Sequence, residues 1–242
     1  MNLLQLFEKC LHTRYNHVEN SGDYMLEYEG DTLYIYLECS NGKEDWKNNF
    51  DFLPTINVSK KGGGLSKRIV KFLWQNISIP QKPYKHMKNF WFAHRGFLRV
   101  WKSIKPYIEE EINNVYVKDI VIVGYSHGAA LAVLCHEYVW FNRPDLRNHM
   151  RGVGFGCPRV FWGWKSKHLS RRWEHFTVVR NINDIVTFVP PSWLGYSHVG
   201  NLLTIGQKKK YSLVDAHRSE NIKTELGQCE KDLGENMICH GF

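Results

Sequence analysis

One segment near the middle of the chain, residues 119–135 with the sequence DIVIVGYSHGAALAVLC, restricts the possible folds more than any other. The β-branched run Ile120–Val123 predicts a buried strand, because such side chains favour extended backbone. The small and apolar residues Ala129–Val133 predict a helix. Between these two runs stands the pentapeptide GYSHG at 124–128. The segment therefore predicts a strand that turns sharply into a helix, with Ser126 at the turn.

Ser126 is the candidate nucleophile of the chain. A serine at a tight strand-to-helix turn exposes its hydroxyl above the sheet, and the strained turn needs neighbours without a Cβ so that strand and helix can approach closely. Gly124 and Gly128 meet this need. The alternative interpretation is that Ser126 is an ordinary helix N-cap.

A nucleophilic serine needs a base, and the base needs a carboxylate that orients it. In folds with this turn the chain order is Ser, then Asp or Glu, then His. Asp184 is the preferred acid, because it follows a predicted strand and precedes a rigid loop that contains two prolines. Its alternative role is that of an Asx-turn residue. Glu174 and Asp215 are weaker candidates for the acid.

Two histidines downstream of Asp184 compete for the role of base. His217 stands at the predicted start of a late helix, from which its side chain can lean over a site. His198 directly precedes a predicted strand and could equally be a buried, hydrogen-bonded histidine. The order of residues along the chain does not separate these two candidates.

The predicted elements follow one another in an informative order. Helices are predicted over residues 3–16, 96–112, 127–141 and 216–226. A β-hairpin is predicted over residues 24–37, and further strands over 119–123, 151–155, 175–180 and 202–205. A hairpin followed by strands that alternate with helices predicts an α/β fold with a mixed sheet covered by helices. We expect residues 1–242 to form one domain.

Composition and charge limit the partners of the chain. Its 242 residues are 43% hydrophobic, which suffices for a sizeable core and argues against disorder. The formal net charge of +8 is dispersed along the sequence, so we expect no nucleic-acid partner and only peripheral contact with an anionic lipid surface. No segment has the roughly 18 consecutive apolar residues of a membrane-spanning helix. The six cysteines lack metal-ligand spacing, and neither a metal nor a cofactor is expected.

The N-terminal residues MNLLQLFEKCLHTRYNH bear on the compartment of the protein. They lack a basic segment followed by an unbroken apolar core, and they have the pattern of an amphipathic helix rather than of a signal peptide. A cytoplasmic location is therefore expected, with viral origin or release by lysis left open. The sequence does not determine the oligomeric state.

Several motifs, taken in order along the chain, resemble those of one known family. GYSHGAALA, GFGCPRVF, NINDIVTFVPP, YSHVG and DAHRS are similar to motifs of the class 3 lipases, the fungal triacylglycerol lipase-like branch of the α/β-hydrolase fold. Upstream, YIYLECSNGKEDWKNNF and HRGFLRVWKSI resemble that family's Asp-Trp segment and its His-x-Gly-Phe helix start. The resemblance spans about residues 33–226. It implies a central, mostly parallel mixed sheet with helices on both faces, preceded by the N-terminal β-hairpin.

The resemblance also implies roles for individual residues. Ser126 would be the nucleophile, Asp184 the orienting acid and His217 the base. His198 matches the family's His-x-Gly after the double proline, which is structural there, and the resemblance therefore favours His217 over His198.

Two further residues would stabilise the oxyanion if the resemblance holds. One donor would be the backbone N–H of His127, and the other would be Ser40, which falls near the family's small hydroxyl residue. The sequence departs from the family pattern at both places. Glu38-Cys39 stand where the family usually has Arg-Gly, and His127 stands where leucine is common.

The implied activity is hydrolysis of the carboxylic esters of lipids, as in a triacylglycerol lipase or a phospholipase, through an acyl-serine intermediate. An esterase for small or polysaccharide-linked acyl groups is the second hypothesis. A non-catalytic binding protein with a hydrolase fold is a hypothesis from another class. In the family a lid covers the site, and the resemblance makes the segment of about 55–92 its counterpart here, with the glycines 62–64 as its hinge and Phe90–Phe92 among its apolar residues. The alternative interpretation is that these aromatic residues belong to the core.

Overall fold

A computed structural model of the chain describes residues 1–18, 22–38, 91–163, 170–208 and 210–233. The four α-helices among these residues are α1 (Leu3–His12), α2 (Arg95–Ile112), α3 (His127–Asn142) and α4 (Ser219–Leu233). The strands are β1 (Asn16–His17), β2 (Asp23–Glu29), β3 (Thr32–Glu38), β4 (Trp91–Ala93), β5 (Asp119–Tyr125), β6 (Met150–Phe155), β7 (Phe161–Gly163), β8 (Phe176–Asn181), β9 (Tyr196–Ser197) and β10 (Asn201–Ile205).

Seven strands form the central sheet, in the order β1-β2-β3-β5-β6-β8-β10. The hairpin of β2 and β3 is antiparallel, as is the short β1. From β3 onward each neighbouring pair is parallel, which confirms the predicted mixed, mostly parallel sheet. The carboxyl ends of β5, β6, β8 and β10 consequently lie along one edge of the sheet, where open α/β folds place their sites.

The two faces of the sheet bury separate apolar clusters, because successive side chains of a strand point to opposite faces. Ile120 and Ile122 of β5 belong to the cluster that α2 and α3 cover. Val123 of β5 belongs to the cluster that α1 and α4 cover. Helices therefore lie on both faces, as expected for the α/β-hydrolase fold. Helix α3 is buried along most of its length, which explains why its sequence is apolar on all sides.

A second, three-stranded sheet in the order β4-β7-β9 lies beside the start of α2. The expected lid falls partly on this sheet: residues 55–90 lie outside the described residues, while Trp91 and Phe92 belong to β4. The ring of Phe92 lies 5.6 Å from that of Trp162 on β7. The aromatic end of the expected lid segment is therefore part of a sheet.

Two helix boundaries differ from the sequence prediction. Helix α1 ends at His12 rather than at residue 16, because the backbone is extended at Thr13 and β1 follows. The late helix starts at Ser219, and a separate 3-10 turn, Asp215–His217, precedes it. His217 therefore lies on a short turn and not on the helix itself.

Candidate active site

Ser126 stands at the junction of β5 and α3 with the strained backbone of an elbow. Its φ of 59° and ψ of −118° lie outside the regions that non-glycine residues favour, and it has the only positive φ of a non-glycine residue within the described ranges. A Cβ at Gly124 would overlap the backbone of Gly128, and a Cβ at Gly128 would overlap the carbonyl of Leu37. Ser126 also makes no side-chain capping hydrogen bond, which argues against the ordinary N-cap interpretation.

Asp184 follows β8 at the carboxyl edge of the sheet, and its side chain is fully buried. Its Oδ1 accepts a hydrogen bond from the backbone N–H of Val186 at 2.8 Å, and its Oδ2 lies 2.7 Å from Nδ1 of His217. Asp184 therefore forms the Asx-type turn and the contact with histidine at the same time. The turn holds one carboxylate oxygen and thereby points the other at the imidazole.

His217 joins the serine and the aspartate. Its Nε2 is hydrogen-bonded to Oγ of Ser126, and its Nδ1 faces Asp184. All three side chains are buried. Three residues from separate segments therefore form one continuous hydrogen-bonded series at the carboxyl edge of the sheet.

The other candidates for base and acid lie elsewhere. His198 donates from Nε2 to the backbone carbonyl of Thr187 at 2.7 Å, as a structural histidine would. Asp215 forms an ion pair with Arg218 at 3.0 Å. Glu174 is exposed, and its nearest ionic partner is His175 at 3.7 Å.

His127, directly after the serine, turns its ring toward α2. The ring meets Phe97 edge to face at 5.0 Å, and its buried Nδ1 has no hydrogen-bond partner among the described residues. Burial, together with the nearby His94, lowers the pKa of His127 to about 4. The imidazole is therefore neutral near pH 7. Its backbone N–H, at the first position of α3, belongs to the N–H groups that have no acceptor within a helix.

Two residues that are not among the predicted site residues, Tyr125 and Gly156, also contact or closely approach His217. The ring of Tyr125 stacks on the imidazole, with centroids 5.4 Å apart and an interplanar angle of 22°. The backbone of Gly156 lies so close that an added Cβ would stand 2.7 Å from Cε1 of His217. Gly156 has a φ of 57°, and the motif GFGCPR offered a sequence signal for such a position, since it puts a glycine directly after a strand.

Ser40, the expected second oxyanion donor, lies outside the described residues. So does most of the expected lid. Within the described ranges, no group of three or more His, Cys, Asp or Glu side chains is arranged to hold a metal ion. None of the helices in these ranges is long and apolar enough to cross a membrane.

The hydrogen-bonded series can perform one kind of chemistry well. An imidazole that contacts a serine hydroxyl can remove its proton during attack on an acyl carbon, and a buried carboxylate at the other ring nitrogen fixes the tautomer and stabilises the imidazolium. The helix N-terminus beside the serine favours negative charge, as an oxyanion requires. The geometry is that of a serine hydrolase triad.

A secreted mono- and diacylglycerol lipase of Malassezia restricta is similar to this chain. It is 30% identical over 129 residues, which make up 50% of this chain and 40% of the relative. The chain therefore matches less than half the length of this relative.

The similarity extends to solved structures of fungal lipases. The triacylglyceride lipase of Rhizomucor miehei superposes with a TM-score of 0.55 at 16% identity, over 80% of this chain and 66% of the lipase. A fungal lipase–inhibitor complex superposes with a TM-score of 0.58 at 16% identity, over 88% of this chain and 81% of that chain. At such low identity these superpositions establish the fold.

The expected cytoplasmic location is wrong, since it conflicts with the secreted relative. The expectation was drawn from the N-terminal residues. In the structure these residues form α1, and Leu3, Leu6 and Phe7 are buried against the sheet and α4. They are part of the folded core, so their pattern reports packing and not a compartment.

The family model described as lipase (class 3) matches residues 34–193, well over half of the chain. The matched region includes the elbow serine and the buried aspartate, and His217 reaches them from beyond it. The fold, the hydrogen-bonded series and the family match agree, and the chain belongs to the class 3 lipases, a family of carboxylic ester hydrolases.

Proposed function

We propose that this protein hydrolyses carboxylic esters of lipids through an acyl-serine intermediate. The observation that carries the proposal is the buried series in which Ser126 contacts His217 and His217 contacts Asp184. Membership of the class 3 lipases supports the lipid ester as substrate class.

In the proposed reaction, His217 takes the hydroxyl proton of Ser126 as Oγ attacks the ester carbonyl carbon. The tetrahedral intermediate collapses, the bond to the leaving alcohol breaks, and His217 returns the proton to the alcohol oxygen. Water then attacks the acyl-serine with His217 again as base, the bond between Oγ of Ser126 and the acyl carbon breaks, and His217 returns the proton to Oγ as the carboxylic acid is released. Asp184 keeps Nδ1 of His217 protonated and stabilises the imidazolium throughout.

The oxyanion of each tetrahedral intermediate needs preorganised donors. The backbone N–H of His127 is one proposed donor, because it lies at the N-terminus of α3 directly after the nucleophile. Ser40 is the other proposed donor, on the family resemblance. Loss of one such donor typically lowers turnover by about 10²–10³-fold, so Ser40→Ala tests this assignment, and near-normal activity would remove Ser40 from the site.

The substrates named for the relatives and the net charge of the chain support a narrower proposal for the lipid substrate. The Malassezia relative acts on mono- and diacylglycerols by its name, and the Rhizomucor lipase on triacylglycerides, which favours acylglycerols. The net charge of +8 favours peripheral contact with anionic lipid surfaces and hence phospholipid as a further substrate. An esterase for small or polysaccharide-linked acyl groups is the second candidate.

The first experiment asks whether the serine is activated at all. A fluorophosphonate probe should label the wild-type protein and leave Ser126→Ala unlabelled. Ser103→Ala, on the exposed face of α2, is the matched control and should label like the wild type. A wild-type protein that resists the probe would instead support a non-catalytic binding protein.

The second experiment separates the two histidines. His217→Ala should lower kcat by about 10⁴–10⁶-fold, the typical cost of losing one member of a triad. His198→Ala should leave the chemistry intact. The reverse result would move the base to His198.

The third experiment separates the substrates. Rates on short-chain nitrophenyl esters, on triacylglycerol and diacylglycerol emulsions, and on anionic phospholipid vesicles should be measured side by side. Activity confined to the short soluble esters would favour the esterase over the lipase.

A further inference from the structure

Tyr125 makes two separate contacts with His217, one to its backbone and one to its ring. The phenolic hydroxyl donates a hydrogen bond to the backbone carbonyl of His217 at 2.5 Å. The phenol ring lies nearly parallel to the imidazole, with centroids 5.4 Å apart. A single side chain at the end of β5 thus holds a residue that is 92 positions away in the sequence.

The hydroxyl of Tyr125 remains a donor across the pH range in which an esterase works. Burial raises the pKa of Tyr125 far above its ordinary value, and the negative charge of Asp184 raises it further. Its ring is fixed in turn by Phe7 of α1, which meets it edge to face at 5.5 Å with an interplanar angle of 80°. The tyrosine is a rigid support rather than a mobile surface residue.

His217 needs such support because its own segment is short. It lies at the end of a three-residue 3-10 turn, and its backbone N–H bonds to Val214 at 3.1 Å. The hydrogen bonds of Nδ1 to Asp184 and of Nε2 to Ser126 place two atoms of the ring but hold its plane only weakly. A parallel aromatic face restrains this plane. An aromatic face also attracts a cation, so it favours the imidazolium that forms during the reaction.

We propose that Tyr125 is a positioning residue for the base: its hydroxyl anchors the His217 backbone, and its ring sets the plane of the imidazole and stabilises the imidazolium. The proposal rests on the proposed function for its consequence in catalysis. The positioning itself is a statement about the geometry of His217 and is measurable without turnover.

The variants separate the two contacts. Tyr125→Phe removes the hydrogen bond and keeps the stacked ring, while Tyr125→Leu removes both. The control is Tyr36→Leu, which shortens a fully buried tyrosine in the same apolar cluster on neighbouring β3. The hydroxyl of Tyr36 has no hydrogen-bond partner among the described residues.

Kinetics give the catalytic readout. Misplacing a reacting group by about 1 Å can cost on the order of 10²-fold in rate, so we expect Tyr125→Leu to lower kcat by about 10–10²-fold with KM nearly unchanged. Tyr125→Phe should retain most of kcat. Without the aromatic face the imidazolium is less stable, so the acid limb of kcat/KM against pH should move to lower pH in Tyr125→Leu and stay in place in Tyr125→Phe and Tyr36→Leu.

An NMR measurement tests the stacking of the phenol on the imidazole independently of activity. With histidine labelled at Cε1, the Hε1 resonance of His217, assigned through His217→Gln, should move downfield in Tyr125→Leu because the ring current of the phenol is lost. It should stay near its wild-type position in Tyr36→Leu.

An unmoved resonance in Tyr125→Leu would overturn the proposal, and so would an unchanged kcat and pH profile in a protein that the fluorophosphonate probe labels. A wild-type protein that the probe does not label would refute ester hydrolysis, and the NMR shift would still decide whether the phenol stacks on the imidazole.

Discussion

The elbow requires an unfavourable backbone conformation at Ser126, and the glycines on either side of it make this conformation possible. Ser126 has a φ of 59°, a conformation that costs about 1–3 kcal/mol for a residue with a Cβ and survives only where the surroundings hold it. The surroundings here are the backbones of Gly124 and Gly128, which approach other backbone atoms too closely for any side chain. The strain thus keeps the hydroxyl pointed at His217 and away from the helix.

Gly156 offers a test of how closely the base is enclosed. A Cβ in Gly156→Ala would stand 2.7 Å from Cε1 of His217 and 3.2 Å from Oδ2 of Asp184, so the imidazole must move. We expect probe labelling to slow by about 10²-fold or more. Gly30→Ala is the control, because Gly30 has a similar φ of 65° with nothing within 4 Å of the added Cβ. Gly30→Ala should lose about 1 kcal/mol of stability through its positive φ, and Gly156→Ala should lose more because of the added contact. Equal labelling of both variants would contradict the tight enclosure.

His127 differs from the leucine common in the family, and its ring should be dispensable. The ring packs on Phe97, away from the series, and its low pKa keeps it uncharged at neutral pH. His127→Leu should therefore keep kcat/KM within a few-fold of the wild type and leave the acid limb of the pH profile unchanged. A loss comparable to that of Ser126→Ala would assign the side chain a direct role.

At the scale of elements, Arg159 is hydrogen-bonded to the loop that follows β8. Arg159 is 9% exposed, and its guanidinium donates to the backbone carbonyls of Phe188 and Pro190, the latter at 3.0 Å. These bonds close the loop that begins at Asp184. Because loops at the carboxyl edge carry the proposed acid and base, their rigidity decides whether the series stays aligned.

Replacing this arginine should loosen the loop before it unfolds the protein. Arg159→Met removes the charged donor of two part-buried hydrogen bonds, and such bonds typically contribute about 1–3 kcal/mol. Hydrogen exchange of the backbone amides over 185–189 should accelerate, and kcat should fall. Arg151→Met, at an exposed position of β6, is the matched control. Unaltered exchange in Arg159→Met would show that the loop is held by other contacts.

At the scale of the whole molecule, two apolar clusters on opposite faces of one sheet fix the site between them. The cluster under α1 supports Tyr125 through Phe7, and the cluster under α3 supports the elbow. His136 is buried against the cluster under α3. Burial lowers the pKa of His136 to about 3, and the ring packs on Phe176 at 5.2 Å.

Such buried neutral histidines make the stability of the fold depend on pH. His136 binds a proton below its ordinary pKa of about 6.5 when the chain is unfolded, and only near pH 3 when it is folded. The unfolded state therefore gains protons first, and the free energy of unfolding should fall as pH drops below 6.5, by up to about 1.4 kcal/mol per unit for each such histidine. Urea unfolding between pH 7 and pH 5 measures this slope. His136→Leu should flatten it, and an unchanged slope would contradict the prediction.

Much of the site could be predicted from the sequence because its signals are local. A β-branched run, two glycines around a serine and a run of small residues specify strand, turn and helix within one segment. The position of Asp184 after a strand also placed it at the carboxyl edge, since parallel strands share that edge. The late helix was predicted to begin too early, because a 3-10 turn and a helix start carry similar residues.

Other features depend on contacts between distant segments. The residues alone do not show whether His198 or His217 is the base, and only the family resemblance favours His217. In the tertiary structure His217 is hydrogen-bonded to the serine, whereas His198 is hydrogen-bonded to a loop carbonyl. The contacts of Tyr125 and Gly156 with the imidazole have no local signature. Sequence by itself determined the fold class, the elbow and the order of the site residues, because these follow from periodicity and chain direction. Only the tertiary structure decided which side chains meet, because those distances are set by how the sheet brings together strands far apart in the chain.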